Sequence, residues 1–251
     1  MIEPGGQPGR LNHGKLTFFD NGDQGCRIIS AQIAKPKKEA KMVVEQEMAQ
    51  IYPPSAEELA EFLPDTDCGE CGFQSCITFA SALLEKRISP HECPHLDEEF
   101  QSMLASILEL NMDPIPYNIM MEQHPCNLIE INEPDGKSPI LVTGNFRETV
   151  SVMKRILEST STQAFLLPTF THGYSVDNAV AERMFKAVEV LKAIKENLVE
   201  QRLERPVIII PGLAESEKNS IRQITRCSVL VGPVSGFLAP LFIFANREEF
   251  L

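Results

Sequence analysis

The stretch LPDTDCGECGFQSC, residues 63–76, decides the fold of the first half of the chain. With one more cysteine further on, it forms the pattern C-x2-C-x4-C-x16-C, whose members are Cys68, Cys71, Cys76 and Cys93. Gly69 and Gly72 lie between them and allow the backbone to turn tightly, with amide N–H groups directed at the sulfur atoms. Each iron of a [4Fe–4S] cube takes one cysteine ligand, so we predict such a cluster on these four residues.

Two other interpretations of the cysteines remain open: a structural zinc site and a set of unrelated buried thiols. Zinc sites with four cysteines usually consist of two short C-x2–4-C knuckles. Here Cys76 and Cys93 are separated by sixteen residues and a predicted helix, which makes a poor second knuckle. The remaining cysteines have no partner at ligand spacing, and we expect them to be small core residues. They are Cys26, Cys126 and Cys227.

Helical patterns flank the cysteines on both sides. Ser55, followed three residues later by Glu58, is a capping box that opens a short helix, and a second helix begins at Ser75. A third helix has apolar residues at helical spacing: Leu96, Phe100, Met103, Leu104, Ile107 and Leu108. We predict a small, mainly helical [4Fe–4S] domain over 55–113, preceded by an N-terminal extension, 1–54, with a hairpin and a helix.

Residues 137–251 alternate between strand and helix patterns. Four apolar runs rich in branched side chains predict strands: Ile140–Thr143, Ala164–Leu167, Val207–Ile210 and Ser228–Val231. Asn145 and Glu148 are predicted to cap the helix after the first strand. A long amphipathic helix is predicted to follow the second strand, with Val180, Met184, Val188, Leu191 and Leu198 on one side. The fold class is therefore α/β, a Rossmann-like C-terminal domain with a parallel sheet covered on both faces, joined to the [4Fe–4S] domain by a linker, 114–136.

Composition narrows the kinds of partner and compartment. The net charge of −12 argues against a nucleic-acid partner, which would require a clustered basic surface. No run reaches the roughly 20 apolar residues of a membrane-spanning helix, so we expect no membrane partner. The N-terminal sequence MIEPGGQPGR lacks the apolar segment of a secretory signal. We therefore expect a cytoplasmic protein whose cysteines stay reduced.

A family resemblance follows from these motifs. The cysteine stretch, with Phe79-Ala80 and Cys93-Pro94-His95 after it, resembles the N-terminal cluster domain of the corrinoid iron–sulfur protein large (gamma) subunit of the acetyl-CoA synthase/CO dehydrogenase pathway. Four segments are similar to that family's C-terminal Rossmann-like domain: SPILVTGNF at 138–146, THGYSV at 171–176, IIIPGL at 208–213 and VLVGP at 229–233. In the family, this subunit carries methyl groups for acetyl-CoA synthase and its C-terminal domain caps the corrinoid from one face.

One part of the family pattern is missing. The family has a TIM barrel between the two domains, and a barrel needs roughly 200 residues or more. Only about 25 residues separate the two predicted domains here. The chain therefore resembles a short form without the barrel, and we expect a corrinoid to arrive on a partner protein.

The resemblance also implies which residues would contact a corrinoid. Ligands of open α/β sheets bind at the carboxyl ends of the strands, and the loops after the second and fourth predicted strands supply hydroxyls, N–H groups and small residues there. The implied contacts are Thr171, Gly173, Ser175, Asn178, Gly232, Ser235 and Gly236. At Asn178 the family has a threonine near the cobalt, which leaves the lower-face chemistry open. Without the resemblance, the same residues would be helix caps and turns.

The functional prediction is a [4Fe–4S] electron-transfer protein of corrinoid-dependent methyl transfer. Its cluster, on a mobile domain, would deliver a low-potential electron to a corrinoid (cobalamin), or the chain would cap that cofactor. The expected partner is a corrinoid-bearing or TIM-barrel protein, a methyltransferase or an acetyl-CoA synthase-type complex. The alternative is a generic iron–sulfur electron-transfer or scaffold subunit whose α/β domain binds a protein and no corrinoid. We recognise no nucleophile–base pair, assign no catalytic residue, and expect a carrier or activator rather than an enzyme with its own substrate.

Overall fold

The computed structural model describes residues 52–110, 122–197, 199, 203 and 206–250. The hairpin and helix predicted for the N-terminal extension lie outside these ranges, as do Cys26 and, in the predicted long helix, Leu198. None of the helices within the described ranges combines the length and apolar character that crossing a bilayer requires.

The cysteines belong to a helical unit that we call the cluster unit, residues 52–110. Its helices are α1 (Ala56–Ala60), α2 (Cys76–Leu84) and α3 (Glu98–Glu109), with a 3-10 turn at Pro90–Glu92. The predicted capping box of α1 is confirmed, because the Glu58 N–H donates to Ser55 Oγ at 3.1 Å and the Ser55 N–H donates to Glu58 Oε2 at 3.0 Å. Such a cap satisfies amides that the first helical turn leaves without partners.

The second unit, residues 122–250, is built on a five-stranded sheet. Its strands are β1 (Ile129–Ile131), β2 (Ile140–Gly144), β3 (Ala164–Thr169), β4 (Val207–Ile210) and β5 (Ser228–Val231). The order across the sheet is β1-β3-β2-β4-β5, and β2 to β5 are parallel to their neighbours, as predicted. The sheet is nevertheless mixed, since β1 pairs antiparallel with β3. The prediction did not include β1, which comes from the segment assigned to the linker.

Helices cover both faces of the sheet, which confirms the α/β class. They are α4 (Arg147–Ser159), α5 (Val176–Ala181), α6 (Ala187–Glu196), α7 (Lys218–Thr225) and α8 (Ala239–Ala245), with 3-10 turns at Gly212–Glu217, Gly236–Leu238 and Arg247–Phe250. Alternate strand residues point to opposite faces. Val142 and Ile208 pack in one core with α6 and α7, whereas Leu141 and Ile209 pack in another with α4 and α8.

The single long helix predicted after β3 is wrong. The structure has α5 and α6 with a break between them, where Arg183 adopts a left-handed backbone conformation (φ 54°) that ends α5. The break brings Phe185 into the core, where it is 2 % exposed, and its N–H donates to Ala179 O at 3.0 Å. Val188, predicted to face the core, is 57 % exposed as a result.

The predicted cap of α4 is also wrong. The helix begins at Arg147, its N-cap position is Phe146, and no side chain caps it. Asn145 lies one residue earlier and is almost fully buried. Its hydrogen bonds go to the loop after β3, so it connects two loops instead of ending a helix.

The cluster unit packs against the α/β unit through a shared apolar core. Leu104 of α3 belongs to the same cluster of buried side chains as Leu238 and Leu241. The rings of Phe100 and Phe244 meet edge to face, with centroids 5.9 Å apart. This structure therefore does not support the expectation of a mobile cluster domain.

Candidate metal centre and sheet edge

The loop between α1 and α2 and the turn before α3 bring the four predicted ligands together. Cys68, Cys71, Cys76 and Cys93 all border one small cavity, whose apolar walls include Leu63, Phe73 and Phe79. The four thiols differ in exposure, since Cys93 is buried and Cys68 is exposed. A group held by them would thus be covered on the Cys93 side and open to solvent on the Cys68 side.

Two glycines shape the loop that carries the first three cysteines. Gly69 and Gly72 have φ values of 74° and 83°, in the left-handed region that L side chains rarely adopt. The Gly72 N–H donates to Gly69 O at 2.9 Å and closes a tight turn around Cys71. A Cβ at Gly72 would meet nothing within 4 Å, so its backbone conformation, and not space, requires glycine there.

Two polar residues that the sequence analysis did not identify position the cysteines. Asp67 Oδ1 accepts a hydrogen bond from the Cys76 N–H at 2.7 Å, which fixes the start of α2. The buried Gln101 of α3 donates from Nε2 to Cys93 O at 3.1 Å and to Leu96 O at 2.9 Å. Gln101 could have been suspected from the sequence, because it is a polar residue next to Phe100 on the apolar side of α3.

The surroundings of the cysteines suit an iron–sulfur cluster. Burial raises the pKa of the Cys93 thiol above its ordinary value, and the backbone of His95 and Leu96 forms hydrogen bonds to it that act in the opposite direction. The Cys68 sulfur lies within 4.8 Å of ligand atoms of Glu70 and His95, whose side chains are 3.2 Å apart. Four soft thiol donors around one cavity, with amides near the sulfur, form the donor set that such clusters take.

The carboxyl edge of the sheet contains a second set of predicted site residues. Asn145 Oδ1 accepts hydrogen bonds from the Thr171 N–H at 3.0 Å and the Gly173 N–H at 2.9 Å, and the Asn145 N–H donates to Thr171 Oγ1 at 3.1 Å. Thr171 is fully buried. Its hydroxyl and the Gly173 amide thus have partners inside the protein, and Asn145 is the residue that connects the loops after β2 and β3.

The other predicted contacts lie around a cavity at the same edge. Ser175, Gly232 and Gly236 border an apolar cavity with a volume of about 90 Å³, which Tyr52 of the cluster unit also borders. Ser175 occupies the N-cap position of α5, but its hydroxyl hydrogen-bonds to Asp177 and caps no amide. Asn178 Nδ2 donates to Ser175 Oγ at 3.0 Å.

Ser235 connects the α/β unit to the cluster unit. Its hydroxyl donates to Tyr52 O at 2.7 Å, and its N–H donates to Glu58 Oε1 at 3.3 Å. Ser235 is fully buried. The loop after β5 therefore holds the start of the cluster unit beside the carboxyl edge of the sheet, and the assignment of Thr171 and Ser235 as corrinoid contacts stays a prediction.

The fold and the cysteine site define a class of protein: an α/β unit with a helical four-cysteine unit packed on it. Residues 63–95, which include all four cysteines, match the family described as "Putative Fe-S cluster". Residues 118–237 match the family described as "CO dehydrogenase/acetyl-CoA synthase delta subunit". Both parts of the chain thus match families that agree with the fold.

Individual relatives are similar to the chain in part. It is 34% identical over 116 residues to the acetyl-CoA decarbonylase/synthase complex subunit gamma of Methanopyrus kandleri, covering 46% of the chain and 25% of the relative. It is 34% identical over 114 residues to the corrinoid/iron-sulfur protein large subunit of Moorella thermoacetica, covering 45% and 26%. It is 36% identical over 62 residues to one subunit of the ion-translocating oxidoreductase complex of Thiobacillus denitrificans, covering 25% and 33%.

These matches confirm the resemblance inferred from the cysteine stretch and from the segments of the C-terminal domain. The chain spans about a quarter of the length of the gamma subunit and the corrinoid/iron-sulfur protein. Activities and partners of those longer proteins therefore apply to this chain only as proposals.

Proposed function

We propose that this chain is a [4Fe–4S] electron-transfer protein of corrinoid-dependent methyl transfer. Cys68, Cys71, Cys76 and Cys93 hold the cluster, which supplies one-electron chemistry at low potential when bound. The observation that carries this proposal is that all four thiols border one cavity within the segment that matches an iron–sulfur family. The protein acts in a reducing compartment, the cytoplasm, as a redox carrier or activator.

The corrinoid half of the proposal rests on the α/β unit. The matched family and two of the relatives belong by name to acetyl-CoA synthesis or to a corrinoid protein. Gly173, Ser175 and Asn178 lie in and after the loop that follows β3, and Gly232, with Gly236, lies after β5, at the edge where ligands of α/β sheets bind. Since the cavity at this edge is far smaller than a corrin ring, the cofactor would lie over the edge and be shared with a partner protein.

Anaerobic reconstitution with iron and sulfide tests the cluster assignment. The wild-type chain should take up about four irons, with the visible absorption of a cluster that dithionite bleaches. Alanine at Cys93 should remove most of the bound iron and sulfide. Alanine at Cys126, a half-buried thiol outside the cysteine loop, is the matched control and should leave both unchanged. A chain that binds a single zinc and no sulfide would contradict the assignment.

A second experiment tests the corrinoid role. The reconstituted protein is dialysed against hydroxocobalamin and cobinamide, and the rate at which the reduced protein converts Co(II) to Co(I) is followed by absorption. We expect binding, or faster reduction of the corrinoid in a partner protein. If neither occurs while the cluster is fully loaded, the corrinoid role is wrong and the cluster assignment stands.

A generic iron–sulfur subunit is the second candidate function. It is favoured by the internal use of the Thr171 and Ser235 hydroxyls, which leaves fewer polar groups for a corrinoid at the sheet edge. Isolation of a complex with a partner protein that contains iron and no cobalt would support this alternative.

A further inference from the structure

The cavity at the carboxyl edge of the sheet has features of a small-molecule site. Its volume is about 90 Å³. Apolar side chains form most of its walls, among them Met153, Ile209, Leu213 and Val234. Water has a share of about 30 Å³ in the liquid, and apolar cavities of this kind stay dry and accept apolar ligands of matching size. The cavity therefore favours a compact apolar body of about four to six heavy atoms over water.

The polar groups of the cavity are concentrated around one carboxylate. Asp177 in the first turn of α5 borders the cavity together with Ser175 and Tyr52. The Ser175 hydroxyl hydrogen-bonds to Asp177. Burial raises the pKa of Tyr52, and the neighbouring Asp177 raises it further, which agrees with a contact between the phenol and the carboxylate. Within the described ranges, no lysine, arginine or histidine forms an ion pair with Asp177.

We propose that this cavity binds a compact organic ammonium, with its apolar body inside and its charged group on Asp177. A carboxylate with only hydroxyl partners, at the border of an apolar cavity, offers a charge-assisted hydrogen bond to a cation. A neutral ligand of the same shape receives only the apolar contribution, and an anion is repelled. The proposal does not rest on the proposed function, because it needs neither a cluster nor a corrinoid.

Tyr52 gives the site a fixed wall. Its carbonyl oxygen accepts from the Ser235 hydroxyl, so the start of the cluster unit is held at the border of the cavity. Val234 is 43 % exposed and also borders the cavity, which places it at the mouth. A large side chain at Val234 should therefore close the entrance without disturbing the core.

The test is calorimetric titration of the full-length chain with three ligands of one shape: cyclopentylammonium, cyclopentanol and cyclopentanecarboxylate. We expect saturable binding in the order cation, alcohol, anion, with the cation at least about tenfold tighter than the alcohol, as for one charge-assisted hydrogen bond. Asp177→Asn should remove this preference and leave the alcohol's affinity within about threefold. Val234→Trp should weaken binding of all ligands at least about tenfold.

Val188→Trp is the matched control, since Val188 is an exposed valine on α6 that does not border the cavity. It should bind all three ligands like the wild type, and circular dichroism should show that every variant is folded. The proposal is overturned if the folded wild type shows no saturable binding of the cation. It is equally overturned if Asp177→Asn keeps the tenfold preference, or if both tryptophan variants weaken binding to the same extent.

Discussion

The cysteine loop depends as much on backbone positions as on the thiols themselves. Gly69 and Gly72 hold left-handed conformations on either side of Cys71, and Asp67 fixes the amide of Cys76. An L side chain in the left-handed region costs about 1–2 kcal/mol. A substitution that leaves all four thiols in place can therefore still weaken the site.

Alanine at Gly72 should destabilise the loop by about 1–2 kcal/mol through its φ of 83° alone, because the added Cβ meets no atom within 4 Å. We expect slower uptake of iron and a lower denaturation midpoint in urea. Gly136 is the matched control, since a Cβ there also meets nothing and its φ is not positive. Alanine at Gly136 should be neutral or slightly stabilising. Equal effects of the two substitutions would mean that the backbone conformation at Gly72 does not matter.

Asn145 is the residue on which the sheet-edge loops depend. Its side-chain oxygen accepts hydrogen bonds from the backbone amides of Thr171 and Gly173. Alanine at this position leaves both amides without that acceptor, so the free energy of unfolding should fall by about 2–4 kcal/mol. Asn219→Ala, at an exposed position of α7, should change it by less than about 0.5 kcal/mol. Urea unfolding of both variants measures the difference.

At the scale of elements, burial decided what the sequence could predict. The strands β2 to β5 were predicted because their branched apolar residues form continuous runs. The edge strand β1 has only three residues and half of a pattern, so periodicity could not identify it. The break between α5 and α6 was missed because Arg183 is an ordinary helix former, and its left-handed conformation depends on the burial of Phe185.

The junction between α1 and the loop after β5 should be sensitive to a single hydroxyl. Ser235→Ala removes the donor to Tyr52 O and should lower the free energy of unfolding by about 1–3 kcal/mol. Hydrogen exchange should become faster in α1 before it does in the sheet. Ser102→Ala, which removes an exposed hydroxyl bonded within α3, should show neither effect. Faster exchange in the sheet alone would contradict this role of Ser235.

At the scale of the whole molecule, spacing predicted the metal ligands but not their setting. The pattern of four cysteines is local, and its residues also border one cavity in the structure. The contact between Tyr52 and Ser235 joins residues 183 positions apart, and no local pattern encodes such a distance. The same limit applies to Asn145, whose neighbours suggested a helix cap. Long-range hydrogen bonds of this kind become visible only when the units are packed together.

Charge is distributed unevenly between the two units. Residues 52–110 contain twelve acidic side chains and only two basic ones, Lys86 and Arg87. The exposed thiol of the cysteine site, Cys68, lies beside Glu70. On the proposed function, electrons would enter and leave through a strongly negative surface, so the charge of a redox partner should control the rate.

This leads to a prediction about electron exchange in the reconstituted, reduced protein. Oxidation by hexaammineruthenium(III), a cation, should slow as salt rises from 10 to 200 mM, whereas oxidation by ferricyanide, an anion, should accelerate, because the screening length shrinks from about 30 Å to below about 10 Å. Glu70→Gln should shift both rates in the direction of added salt. Glu248→Gln, at an exposed site in the α/β unit, should change neither rate. If both oxidants respond to salt with the same sign, the acidic surface does not control electron entry.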